Sequence, residues 1–124
     1  FGCRSIGEKR DLKGEWLDKV TGLKNAHITG EHLVLSGYDE DHPTLEIFSY
    51  DQMEGDLTHK INQYGIAHIA FEVDNVRVTL DKLLQNGGAT VGEVVSADYP
   101  NGRKATFVYA ADIEGNIIEL QSWG

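Results

Sequence analysis

The chain has one cysteine, Cys3, and only two prolines, Pro43 and Pro100, among its 124 residues. A lone cysteine cannot close an internal disulfide, so nothing calls for an oxidising compartment, and the cytoplasm is the expected location. Positive charge is also scarce, with 11 Lys and Arg against 20 Asp and Glu and a net charge of −9. Nucleic-acid backbones are met by basic faces, so a nucleic-acid partner is not expected. No apolar run approaches the roughly 20 residues that cross a bilayer, and no charged start followed by an apolar stretch reads as a signal peptide; a soluble protein without a membrane partner is expected. The one dense acidic cluster, Asp39, Glu40 and Asp41, lies between Gly37 and Pro43 and reads as a solvated loop. It lacks the spaced ligands and central glycine of a calcium loop.

What the chain does contain is enough for one globular domain, residues 1–124, with a modest core: 40% of it is hydrophobic. Its most telling feature is internal. Glu46-Ile47-Phe48-Ser49-Tyr50 reappears 73 residues later as Glu119-Leu120-Gln121-Ser122-Trp123, each copy a carboxylate, an apolar residue, a variable one, a serine and an aromatic. The chain is therefore read as built twice over, with residues 1–60 as a first unit and 61–124 as a second.

The second unit is the more legible. Ile66 to Val73 alternates, with Ile69, Phe71 and Val73 on one face and His68, Ala70 and Glu72 on the other, the period of a half-buried strand. Asp74 and Asn75 can cap a helix carrying Val76, Leu80, Leu83 and Leu84 on one stripe and ending at Gly87 and Gly88. Strands are predicted around Val91 to Ser96, Ala105 to Tyr109 and Asn116 to Gln121, divided by the turn sequences Pro100-Asn101-Gly102 and Glu114-Gly115-Asn116. The order is strand, helix, strand, strand, strand.

Within this pattern Glu119 stands opposite to Ile118 and Leu120, as His68 stands opposite to Ile69 and Phe71. Glu46 stands opposite to Leu45 and Ile47 and shares its side with Phe48 and Tyr50. In the first unit a strand is predicted around Ala26 to Leu35, a short amphipathic helix near Trp16 to Leu23 that covers core, and a strand near Ser5 to Lys9. A partner of His68 would fall about as far before Glu46 as His68 precedes Glu119, hence upstream of Phe1; the first unit is read as lacking its opening strand. His27, His32, His42 and His59 are read as surface residues in loops or at strand edges.

GIAHIAFEVDNV, the helix ending in LLQNGGA, and AADIEGNIIEL together resemble the second half of a glyoxalase-like protein of the vicinal oxygen chelate superfamily, and LEIFSYDQ resembles the end of that family's first half. The resemblance implies an α+β fold of two βαβββ modules whose sheets form a cup, here with the first module incomplete at its amino terminus. It also implies that metal is held by the first and last strands of each module. Carried over, Glu46, His68 and Glu119 match three of four ligand positions, the fourth lying upstream of Phe1. Such a set suits nickel, cobalt, manganese, iron or zinc. In this superfamily the metal chelates adjacent substrate oxygens, and a metal-bound glutamate can accept a proton; Glu46 and Glu119 are the candidate bases. Phe48, Tyr50, Phe107, Tyr109 and Trp123 are candidates to line a substrate cavity, and Arg103 to meet an anionic substrate end. The resemblance thus favours a metal-dependent lyase or isomerase resembling lactoylglutathione lyase or methylmalonyl-CoA epimerase, acting on a small molecule as a homodimer. The alternatives it leaves open are a ring-cleaving dioxygenase and a non-catalytic binder resembling the bleomycin-resistance proteins.

Overall fold

The computed structural model describes residues 1–39 and 41–124, so Glu40 of the acidic loop lies outside the described residues. The chain forms two compact units, Phe1–Gly55 and Asp56–Gly124.

The first unit runs β1 (Arg4–Lys13), α1 (Glu15–Thr21), β2 (His27–Val34) and β3 (Thr44–Tyr50). Its three strands form an antiparallel sheet in the order β1-β2-β3. The opening strand is longer than its Ser5 to Lys9 alternation suggested, because a bulge between Ile6 and Arg10 resets the register and lets pairing continue to Lys13. Helix α1 stops at Gly22, which adopts φ 73°. Asp18 then ties the following loop back to the helix, its carboxylate accepting from the Asn25 and Ala26 backbone N–H groups at 2.8 Å each. That return places Ala26 beside Leu17 and Ile28 in a small core against which Leu12, Phe48 and Tyr50 pack.

The second unit follows the predicted order. It comprises β4 (Ile69–Glu72), α2 (Val76–Gln85), β5 (Ala89–Thr90), β6 (Val95–Asp98), β7 (Lys104–Ala111) and β8 (Ile117–Trp123). The strand order is β4-β8-β7-β5, with β6 also paired to β7; β4 runs parallel to β8 and the rest are antiparallel. Of the strand expected over Val91 to Ser96 only Val95 and Ser96 are strand, in β6, while Val91 to Val94 form the break between β5 and β6. Val91 and Gly92 both donate to the Tyr109 carbonyl, so one ladder position on β7 faces two residues and pairing is interrupted. Counting β5 and β6 as one broken strand gives βαβββ.

Helix α2 starts where Asn75 caps it, its side-chain oxygen accepting from Val78 N–H at 3.1 Å. Val76 and Leu80 seal the helix onto Val108, Ala110, Ile118 and Leu120, with Phe71, Val73, Leu83 and Val94 packed around them. Leu84, expected on this stripe, is 39% exposed, because the buried face is centred on Val76 and Leu80 and Leu84 falls at its margin. The turn before β8 is closed by Asp112, whose Oδ1 accepts from the Glu114 and Asn116 backbone N–H groups at 2.9 and 2.8 Å. Gly115 supplies the positive φ of 82° that this turn needs. Among the described residues no helix is long and apolar enough to cross a membrane.

Candidate metal centre

Because α2 takes the Ile118 and Leu120 face of β8, the alternate residues Glu119, Gln121 and Trp123 project to the other face. Strand register decides their neighbours: Glu119 stands between Ala70 of β4 and Tyr109 of β7, and Gln121 between Glu72 and Phe107. His68, one residue before β4, joins this row. Its Nε2 lies 3.1 Å from Glu119 Oε2, with the two side chains 28% and 18% exposed. Tyr109 completes the group, its ring edge-on to the His68 imidazole at a centroid distance of 5.0 Å.

A divalent transition ion sits roughly 2.0–2.2 Å from imidazole nitrogen and carboxylate oxygen, so two ligands on adjacent coordination positions stand about 3.0–3.4 Å apart. The His68–Glu119 spacing falls in that range, and the donor set is one such ions accept. His68 Nδ1 is buried without a hydrogen-bond partner. Nδ1 is not the nitrogen that faces Glu119, so the case for a cation rests on the Nε2–Oε2 spacing and the donor types. The residues present therefore fit a cation, as two donors of its shell. Within either unit, no three His, Cys, Asp or Glu side chains among the described residues gather as a metal-holding group.

Glu46 belongs to the first unit, on β3, and its side is the one the alternation predicts, shared with Phe48 and Tyr50. Phe48 and Tyr50 are half-buried against Leu17, Ala26 and Ile28, so part of this face is covered by α1. Glu46 itself is exposed, and its partner across the sheet is His32. The reading of His32 as a surface or strand-edge residue is corrected: it lies on the central strand of its sheet, half-buried, in a polar string. Arg10 Nη2 lies 3.5 Å from His32 Nδ1, and His32 Nε2 lies 2.5 Å from Thr44 Oγ1. A guanidinium only donates, so Nδ1 accepts and Nε2 carries the ring proton toward Thr44. The nine residues between β2 and β3 hid this pairing, since register across a long connection cannot be counted from sequence. His42, bonded to Asp39, and His59 are exposed as read; His27, half-exposed at the start of β2, bonds Asp11 at 2.6 Å.

Burial raises Tyr109 above the ordinary phenol value, and Glu119 raises it further by its negative charge and by accepting the phenol's hydrogen bond. The hydroxyl therefore stays protonated, as a donor to the carboxylate, throughout the neutral range. A group whose folded value is raised contributes stability in full below its unfolded value, about 10 for a phenol, and loses it as pH climbs through the folded value. In metal-free protein, the difference between the ultraviolet alkaline titrations of wild type and Tyr109→Phe should be centred above the ordinary phenol value. A difference curve centred at the ordinary phenol value would contradict the arrangement.

The description Glyoxalase/Bleomycin resistance protein/Dioxygenase superfamily matches residues 14–120. A crystal structure of a glyoxalase family protein from Bacillus cereus is similar over 98% of this chain and 78% of its own, with a TM-score of 0.78 and 25% sequence identity. No curated protein matches the chain significantly.

Proposed function

The chain belongs to the glyoxalase/bleomycin resistance protein/dioxygenase superfamily, and from that membership we propose that it is a metal-dependent isomerase or lyase acting on a small molecule chelated through vicinal oxygens. The observation that carries this reading is the His68–Glu119 pair, two metal-type donors at the spacing of adjacent ligands. Glu46, which repeats the placement of Glu119 in the first unit, is proposed as a third ligand. A nickel, cobalt, manganese, iron or zinc ion would supply Lewis acidity toward two adjacent substrate oxygens.

The chain's own residues divide the remaining work. His68 is neutral when it ligates, and offers a nitrogen lone pair. Glu119 or Glu46 is the proposed acceptor of the proton removed from carbon. Tyr109, paired with Glu119 across the β7–β8 ladder, places its hydroxyl-bearing ring beside the site. A homodimeric cytoplasmic enzyme is the form proposed.

Elemental analysis of protein purified without added metal or a metal-binding tag tests the proposal. About one transition ion per chain is expected, and iron in place of nickel or zinc would redirect the reading to ring cleavage. Protein that arrives metal-free and takes up none of the five ions would sink it. A second reading, a non-catalytic small-molecule binder, is favoured by one observation: the second unit gathers two metal-type donors and no third.

A further inference from the structure

The row that begins at His68 and Glu119 does not end there. On the same face, four residues further along β8, lies Trp123, at the β6–β7 hairpin. Strands advance about 3.3 Å per residue, so the two ends of the row stand about 13 Å apart. At the far end the Arg103 guanidinium lies over the Trp123 ring, 4.7 Å from its centroid, and the Tyr99 ring packs against the same indole at 5.0 Å.

Each part of this group is fixed by something else. Trp123 Nε1 donates to Gln121 Oε1 at 3.0 Å, and Ala105, the residue paired with Trp123, is fully buried, its small side chain leaving room for the indole. The hairpin is closed by Tyr99 N–H to the Arg103 carbonyl at 2.8 Å and Gly102 N–H to the Tyr99 carbonyl at 2.9 Å. Asn101 Oδ1 accepts from Arg103 N–H at 3.1 Å. Tyr99 and Arg103 are thereby held opposite each other and on one side of the ladder with Trp123.

An arginine held over an aromatic ring can still present N–H groups outward, and a guanidinium edge matches a carboxylate in two parallel hydrogen bonds. In a chain with net charge −9, Arg103 is paired with no carboxylate among the described residues. Glu72, paired with Gln121 midway along the row, repels an anion placed short of the hairpin and so favours the Arg103 end.

We propose that Arg103, framed by Trp123 and Tyr99, is a carboxylate-binding subsite, and that the substrate is an elongated organic acid whose far carboxylate docks there while its reacting end lies at His68 and Glu119. The near end rests on the metal-centre reading; the far end does not. Phe107, between the two on the same face, offers apolar surface to the connecting chain.

The test uses intact protein with Trp16→Phe, so that indole emission reports Trp123 alone, and octanoate as probe with octanamide as its neutral twin. Octanoate should change Trp123 emission in metal-free protein, octanamide should not, and Arg103→Gln should weaken octanoate roughly tenfold or more. Arg103→Lys, which keeps the charge and loses the fork, should weaken it less. In nickel-loaded protein a long-chain 2-oxo dicarboxylate should bind more tightly than the same compound with its far carboxylate as the amide, and the advantage should vanish in Arg103→Gln. Octanoate bound equally by wild type and Arg103→Gln, or by neither, overturns the subsite. A lowered melting temperature in Arg103→Gln with octanoate binding unchanged also overturns it, making the group a hairpin clamp. If the protein takes up no metal, the octanoate arm still judges Arg103.

Discussion

Alanine at His68 is expected to weaken nickel or cobalt binding by more than about 100-fold, since loss of a ligand exceeds the roughly 10–100-fold cost of losing an outer partner. The same substitution should leave the melting temperature of metal-free protein nearly unchanged. The two halves of this expectation have one cause. In the metal-free protein His68 spends one nitrogen on Glu119 and buries the other without a partner. The lost contact with Glu119, about 1 kcal/mol or less for a partly exposed pair, is offset by relief of an unsatisfied buried atom of similar cost. A histidine held for core structure behaves the other way, destabilising on removal and leaving metal affinity untouched. Glu119→Ala should match His68→Ala in metal affinity. Tyr109→Phe, which removes only the bond to Glu119, should cost no more than about tenfold. Isothermal titration with nickel, beside thermal melts of the same samples, measures both quantities. Undiminished nickel affinity in His68→Ala would eliminate this pair as the metal centre.

How much of this was legible in the sequence depends on how local each signal was. The strand expected over Ile66 to Val73 is only Ile69–Glu72, with Ile66 outside it and Ile69 half-exposed. The alternation still put Phe71 and Val73, like Ile118 and Leu120, on the core face, because side-chain direction in a strand repeats every two residues. The Asn75 cap and the glycine-terminated α2 were likewise local. The repeated pentapeptide lies on the last strand of each unit, β3 and β8. What stayed hidden was non-local. That Tyr109 stands directly beside Glu119 is set by the β7–β8 register, and that His32 stands beside Glu46 by the register across a nine-residue connection. The break between β5 and β6 arises from two N–H groups sharing the Tyr109 carbonyl, and local composition gave no sign of it. Arg103 was read as a candidate to meet an anionic substrate end; its placement over Trp123 follows from a hairpin that brings Tyr99, Arg103 and the end of β8 together.

Alanine at Gly30 is expected to destabilise the first unit by about 3 kcal/mol, the upper range for overpacking. Gly30 sits in the middle of β2 opposite Phe48, and its backbone is not in the left-handed region, so the penalty is steric. A Cβ there would fall on the Ile47 carbonyl oxygen and on the Phe48 ring. A ring can turn, but the carbonyl belongs to the β2–β3 ladder and cannot move without opening it. The unit has little to absorb the strain, since its buried cluster among the described residues is the small group Leu17, Ala26 and Ile28, and Phe48 is one of the side chains packed on them. Gly92→Ala is the matched control: nothing lies within 4 Å of its added Cβ and its φ is ordinary, so reduced freedom of the unfolded chain should leave stability equal or slightly higher. Denaturant unfolding of both variants decides the matter, and a loss below about 0.5 kcal/mol at Gly30 would contradict the packing of Phe48 across that position. Because Phe48 and Glu46 are alternate residues on one face of β3, a displaced Phe48 also disturbs the row in which Glu46 stands.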